Sequence, residues 1–251
     1  KETGAIVIHS MAFESALSNL LFLKSSSLTP LPTYRSFNTY YLLNSKQMSP
    51  GTRITMKIAK AFETKTLFNG ELIPLGTLPD LKNTDPIEPM LGIKVGYPEP
   101  VLAKAHGSVK QADAHYLMEK NSDMGLLMTA PPSHNPNLDV EGLIDRHKHN
   151  PMKGPTLEER KNQTFEIQTY LTSEDQTIKC VLSGRDMYGL TAELVVFSVM
   201  KILNQSNSHI EVDESKGVLT PAQFLKSDGL DWLQTHEQLK LSVSIMNQLV
   251  L

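Results

Sequence analysis

The chain has 251 residues, 40% of them hydrophobic and 20% charged, the balance of a folded globular protein and not of a disordered one. Its 24 Lys and Arg against 27 Asp and Glu leave a formal charge of −3, which removes the electrostatic case for binding nucleic acid or a membrane surface. A single cysteine, Cys180, excludes an internal disulfide and fits a reducing compartment, so a cytoplasmic location is expected.

Ala5 to Ile8 is a short β-branched run that reads as a buried strand ending at His9. Phe13, Ala16, Leu17, Leu20, Leu21 and Leu23 then recur at three- and four-residue steps and predict a helix to Lys24. Ser25 to Pro32 reads as a loop, and the aromatic-rich stretch from Tyr34 to Leu43 as a strand. Ser49-Pro50 has the form of an N-cap followed by proline at the first helical position. Asn69-Gly70, set between Lys65–Phe68 and Glu71–Ile73, predicts a tight hairpin. Residues 79–89 are polar and turn-rich, and Pro98-Glu99-Pro100 opens a short helix through His106.

Residues 116–129 are apolar and Met-rich and fit either class of element. Residues 130–155 carry Pro131, Pro132, Pro136, Pro151 and Pro155, and predict a long loop with a short helix near Leu138 to Arg146. Phe165–Leu171 and Thr177–Leu182 each alternate apolar with polar, so they predict an antiparallel hairpin. Tyr188 to Leu203 is helical in period. Its longest apolar run, Leu194 to Phe197, is bracketed by Glu193 and Lys201 and is too short to cross a bilayer, so no membrane is expected. Thr220-Pro221 starts another helix, and the tail from Leu230 to Leu251 reads as helical. Hairpins interleaved with helices predict an α+β, mixed α/β domain: a largely antiparallel or mixed sheet with helices packed on one face.

The chain contains no G-x-G-x-x-G, no G-x-x-x-x-G-K-[ST], no G-x-S-x-G, no H-E-x-x-H and no C-x-x-C. Cys180 falls at mid-strand, where core packing is the plain reading. On an extended strand His147 and His149 would share a face, with Asp145 nearby. No third ligand stands at a known spacing, so a solvated loop and no metal are expected. His9 closes the first strand, a place where ligands of α/β sheets often sit. In Gly184 to Ala192 a strand ends at a glycine and Asp186 can cap the following helix. The free amides of that helix start can alternatively hold an anion.

Three stretches, in this order, resemble the saccharopine dehydrogenase-like oxidoreductases, above all the branch similar to trans-acting enoyl reductases. The first is Val7-Ile8-His9-Ser10-Met11-Ala12-Phe13-Glu14-Ser15, where the family commonly has Asp for Glu14 and Cys-Gly for Met11-Ala12. The second is the turn with Gly184, Asp186, Tyr188, Thr191 and Ala192, where Met187 replaces the usual Pro-Gly. The third is Gly217 to Ala222, a Gly-Val-Leu-Thr-Pro-Ala signature.

The resemblance implies an N-terminal Rossmann domain holding NAD or NADP, followed by a mixed α/β domain for substrate and dimer contacts. Residues 1–251 are expected to be that second domain alone, with no cofactor-binding residues of their own. A first residue other than Met, followed at once by a strand, fits a chain that continues upstream. A small-molecule substrate and a second copy in a homodimer are the expected partners. His9 and Tyr188 are the candidate proton donors, and Phe13, Ser15, Asp186 and Thr191 the candidate substrate contacts. Two other classes stand beside this one: a non-catalytic binding or assembly domain on the same scaffold, and a metal-dependent hydrolase using His134, His147 and His149.

Overall fold

A computed structural model describes residues 5–44, 48–61, 64–75, 86–87, 90–119, 139–149, 153–207 and 217–247. Strand β1 (Ile6–Ile8) leads into helix α1 (Phe13–Leu28), strand β2 (Tyr34–Asn44) and helix α2 (Pro50–Ala61). Strands β3 (Lys65–Phe68), β4 (Glu71–Pro74), β5 (Pro86–Ile87) and β6 (Met90–Val95) follow, then helix α3 (Glu99–His106) and strand β7 (Val109–Glu119). Two short helices, α4 (Val140–His149) and α5 (Leu157–Asn162), precede the hairpin of β8 (Thr164–Thr172) and β9 (Gln176–Arg185). Helix α6 (Met187–Asn207), strand β10 (Gly217–Leu219), helix α7 (Pro221–Thr235) and strand β11 (Lys240–Asn247) complete the order.

Nine strands form one mixed sheet in the order β11-β9-β8-β2-β7-β3-β4, with β6 also on β7 and β5 on β6. The β2–β7 pair is parallel and the other pairs of this sheet are antiparallel. The fold is thus the α+β class that the interleaved hairpins and helices predict. A second, two-stranded sheet pairs β1 with β10 in parallel, Val7 opposite Val218.

The alternation in β8 and β9 shows directly in burial. Phe165, Ile167 and Leu171 of β8 and Ile178, Cys180 and Leu182 of β9 face a helix layer and are buried. Helix α1 lies across them with Phe13, Ala16, Leu17, Leu20 and Leu21 fully enclosed, and α6 and α7 add Leu190, Leu194, Phe224, Leu225 and Leu233. Each such leucine contributes about 1.5–3 kcal/mol on leaving water. A second cluster, with Phe22, Tyr34, Phe37, Leu67, Ala103 and Val109, lies beneath α3.

Helix α1 is buried on several sides, so its polar residues need partners. Ser18 bonds Thr39 (2.9 Å) and Ser25 bonds the Leu21 carbonyl (2.9 Å). Asn19 joins three helices: its Oδ1 accepts from the Ala222 amide of α7 (2.8 Å), and its Nδ2 donates to His106 Nε2 of α3 (3.0 Å). Burial lowers His106 to about 4, which keeps that ring neutral and able to accept. Gly229 of α7 passes so close to α1 that an added Cβ would stand 2.6 Å from Leu20 Cδ2.

Several readings from sequence change. Helix α1 runs on through Ser25–Leu28, where the Ser25, Ser26 and Ser27 hydroxyls bond carbonyls of their own helix and Ser25 is buried in the core. Strand β7 occupies 109–119, so the ambiguous stretch is strand as far as Glu119; residues 120–138 lie outside the described part. The tail is not one helix: α7 ends at Thr235 and residues 240–247 form β11. The apolar run Leu194 to Phe197, too short by itself for a bilayer, sits inside a 21-residue helix. Its residues Met187–Asn204 are long and apolar enough to cross a membrane by composition, and 22% of that window is buried. Leu190, Leu194 and Ser198 of the same helix lie in the core.

Candidate functional site

The three stretches that carry the resemblance meet in space. Thr191 Oγ1 of α6 accepts the Phe13 amide (3.1 Å) at the start of α1, where Ala12 has no side chain able to cap. The first stretch is thus capped by the second. The third pairs with the first as β10 on β1, and its Ala222 amide bonds Asn19.

The predicted site residues are largely engaged by the fold. Phe13 is buried edge-on against Phe165, with ring centroids 5.0 Å apart. Asp186 stands at positive φ (52°) and caps α6, its Oδ1 accepting the Gly189 amide (2.9 Å) while Oδ2 meets Arg160 (3.2 Å). Of the two roles open to Asp186, capping is the one its geometry fills. Thr191 bonds Phe13 and the Met187 carbonyl (3.0 Å). His9, part-buried, bonds the Ser10 hydroxyl through Nδ1 (3.0 Å), and Ser10 holds a positive φ of 58°. The Tyr188 hydroxyl accepts the Ser49 amide (2.8 Å) at the start of α2 and lies 3.3 Å from Thr52 Oγ1.

Beside these residues lies a cluster that the sequence did not announce. Tyr41 of β2, Tyr97, Glu99 of α3 and Tyr116 of β7 join Glu14 and Ser15 of α1. The Tyr41 hydroxyl donates to Glu99 Oε1 and also lies 3.2 Å from the Glu14 carbonyl. The hydroxyls of Tyr97 and Tyr116 bond each other. The rings of Tyr41, Tyr97 and Tyr116 are mutually within 5.5–6.1 Å. Ser15, a predicted substrate contact, is buried beside Glu99, whose carboxyl it helps to hold down.

Burial dominates the electrostatics here. It pushes the Glu99 carboxyl up to about 7, partly offset by the bond from Tyr41. It also raises Glu14, Tyr41, Tyr97 and Tyr116; Tyr116 and Glu14 raise Tyr97 further, and Glu14 raises Tyr116 further while the bond with Tyr97 partly offsets this. Glu99 Oε2 is buried with no bonding partner. Near neutral pH this carboxyl therefore changes charge easily. When ionised it accepts from Tyr41; when protonated it can donate to Tyr41, whose own proton then points to the Glu14 carbonyl. The nearest sequence trace of the cluster is Glu99 between two prolines, a pattern that marks a helix start and says nothing of burial.

Among the described residues no group of three or more His, Cys, Asp or Glu is placed to hold a metal. His147 and His149 lie on helix α4, where residues two apart are separated by about 200° around the axis, so the shared-face arrangement of a strand does not apply. His134 is outside the described residues. Cys180 is fully buried against Ser25 (3.2 Å), and burial raises its thiol, which makes it a core residue and a poor nucleophile.

The turn from β1 into α1 does not fit a dinucleotide pyrophosphate. It reads His9-Ser10-Met11-Ala12 without glycine, and the first amide of α1 is already taken by Thr191. The chain matches no protein-family model and no curated protein.

Proposed function

We propose that this chain is the substrate-side domain of an NAD(P)-dependent oxidoreductase resembling the saccharopine dehydrogenase-like group, with the dinucleotide held by a separate Rossmann domain. The observation that carries this reading is the β1–β10 pair. Parallel sheets are normally covered on both faces and extended by further strands. Among the described residues this one has two strands of three residues, and Val7 and Val218 are 50% and 70% exposed on its outer face. Such a pair fits as the margin of a larger parallel sheet. The meeting of the three stretches around α1 supports the same reading.

In such an enzyme the nicotinamide supplies hydride chemistry. The residues of this chain orient the substrate and manage its proton. His9 at the end of β1 and Tyr188 at the start of α6 are the candidate donors. Glu99 is too deep to touch substrate; through Tyr41, and beside the Tyr97–Tyr116 pair, it serves as a proton store behind the site. The test is the full-length protein with NADH or NADPH and a panel of lysine-pathway and lipid-like enoyl substrates. Substrate-dependent oxidation of the nicotinamide is expected. Failure of the full-length protein to bind either nucleotide overturns the reading.

A second reading, a non-catalytic assembly domain, is favoured by one observation: Phe13, Ser15, Asp186 and Thr191 are all spent on internal contacts. Nucleotide binding without turnover of any substrate class would favour it.

A further inference from the structure

Among the described residues, four other than glycine hold a positive φ: Ser10, Asn69, Asp186 and Lys226. Two of them have an evident local reason. Asn69 forms the Asn-Gly hairpin turn, and Asp186 caps α6. Ser10, at 58°, does neither. It stands on the turn from β1 into α1, and the bond its hydroxyl makes among the described residues is to Nδ1 of His9, at 3.0 Å.

A serine held at positive φ between a strand and a helix is the arrangement by which acyl-transfer enzymes raise a nucleophilic hydroxyl clear of its own backbone. Glycines two residues to either side commonly give the room; here those places hold Ile8 and the small Ala12. The turn is fixed at both ends. The His9 amide donates to the Leu219 carbonyl (3.3 Å), and the Phe13 amide to Thr191 Oγ1. It also follows the carboxyl end of a strand in a parallel pair, where ligands of such sheets sit.

Acyl transfer needs a base within about 2.6–3.2 Å of the nucleophile, and His9 meets that distance. It needs a donor for the oxyanion, and the amide of the residue after the serine commonly serves. The Met11 and Ala12 amides make no bond among the described residues. The part-buried side chains of Ile8, Met11 and Leu219 are apolar, which matches an uncharged acyl group.

We propose that Ser10 and His9 form a nucleophile–base pair that takes the acyl group of small uncharged esters. The Ser10 oxygen attacks the ester carbonyl carbon as its proton passes to His9 Nδ1. The bond from that carbon to the leaving oxygen then breaks, and the alcohol departs with the proton from His9. In the second half His9 takes a proton from water, the resulting hydroxide attacks the acyl carbon, and the bond to Ser10 breaks. Ser10 recovers its proton from His9, and a carboxylic acid is released. Ester and water balance the reaction, so it runs without a dinucleotide.

The full chain, without nucleotide, is treated with a fluorophosphonate, which reacts with activated serine hydroxyls, and the adduct is mapped by mass spectrometry. An adduct on Ser10 is expected, together with release of p-nitrophenol from p-nitrophenyl acetate. His9→Gln should slow both by about 100-fold or more. Ser10→Gly should abolish both and raise the thermal midpoint by about 2–4 °C, because glycine takes a positive φ without strain. An unmodified Ser10 in the wild type overturns the proposal, as does an adduct that forms equally fast in His9→Gln. If Ser10→Gly does not fold, the mapped wild-type adduct and the His9→Gln rate decide. Nucleotide binding by the full-length protein is read separately and is untouched by either result.

Discussion

The Tyr41 hydroxyl donates to the Glu99 carboxylate across 58 residues of sequence, joining the central strand to the first turn of α3 inside a fully buried setting. A carboxyl raised from 4.5 to about 7 binds its proton more tightly in the folded than in the unfolded chain. Its contribution is fully present below about 4.5 and is lost as pH rises through about 7, by a few kcal/mol at the upper limit. The raised Glu14 carboxyl acts in the same direction. His106, lowered to about 4, acts oppositely, and its contribution is lost as pH falls from 6.5 through about 4. Urea midpoints at about pH 5 and pH 8 should therefore fall more for the wild type than for Glu99→Gln. Equal falls would remove the proton store.

Asp186→Ala removes the cap of α6 and the partner of Arg160, and leaves a Cβ-bearing residue at positive φ without the side chain that tolerates it. A loss of about 2 kcal/mol is expected from the cap and the backbone together. Asp186→Asn keeps an oxygen for the Gly189 amide and should lose about half as much. Chemical denaturation measures both.

Tyr188→Phe leaves the Ser49 amide without its acceptor. About 1 kcal/mol is expected, concentrated at the start of α2. Hydrogen exchange should quicken around Ser49 and stay unchanged in β8 and β9. Uniform quickening would argue against a local role.

Gly229→Ala sets two effects against each other. Alanine gains about 1 kcal/mol of helix propensity, but its Cβ meets Leu20 Cδ2 at 2.6 Å and Leu225 Cβ at 2.8 Å in the core. Overpacking costs about 1–3 kcal/mol, so net destabilisation is expected, read as a lowered thermal midpoint.

The chain by itself should show no micromolar affinity for NADH or NADPH, because the β1–α1 turn has no glycine and its first amide is occupied. Calorimetric titration checks this. Micromolar binding would place the dinucleotide site within these residues.

Much of the frame was legible because local chemistry fixed it. The alternation of β8 and β9, the Asn69-Gly70 hairpin and the Thr220-Pro221 cap all stand as read. The tail turns on the choice of period: it reads as helical from Leu230, but Leu241-Ser242-Val243-Ser244-Ile245 alternates by two, the period of the strand it forms. The Glu99–Tyr41 cluster failed for a deeper reason. Nothing local in Pro98-Glu99-Pro100 marks a carboxyl whose neighbours come from α1, β2 and β7. Asp186 shows the intermediate case: its cap was visible in the sequence, while its ion pair with Arg160 was not.

Strand β2 sits between β7 and β8, both of which are made much later along the chain. On the ribosome its Tyr-rich run therefore emerges long before either neighbour exists. Closure of the sheet waits on distant segments, which slows refolding and leaves an adhesive strand uncovered in the interval. Conditions that delay synthesis of residues 109–172 should thus favour aggregation of the nascent polypeptide.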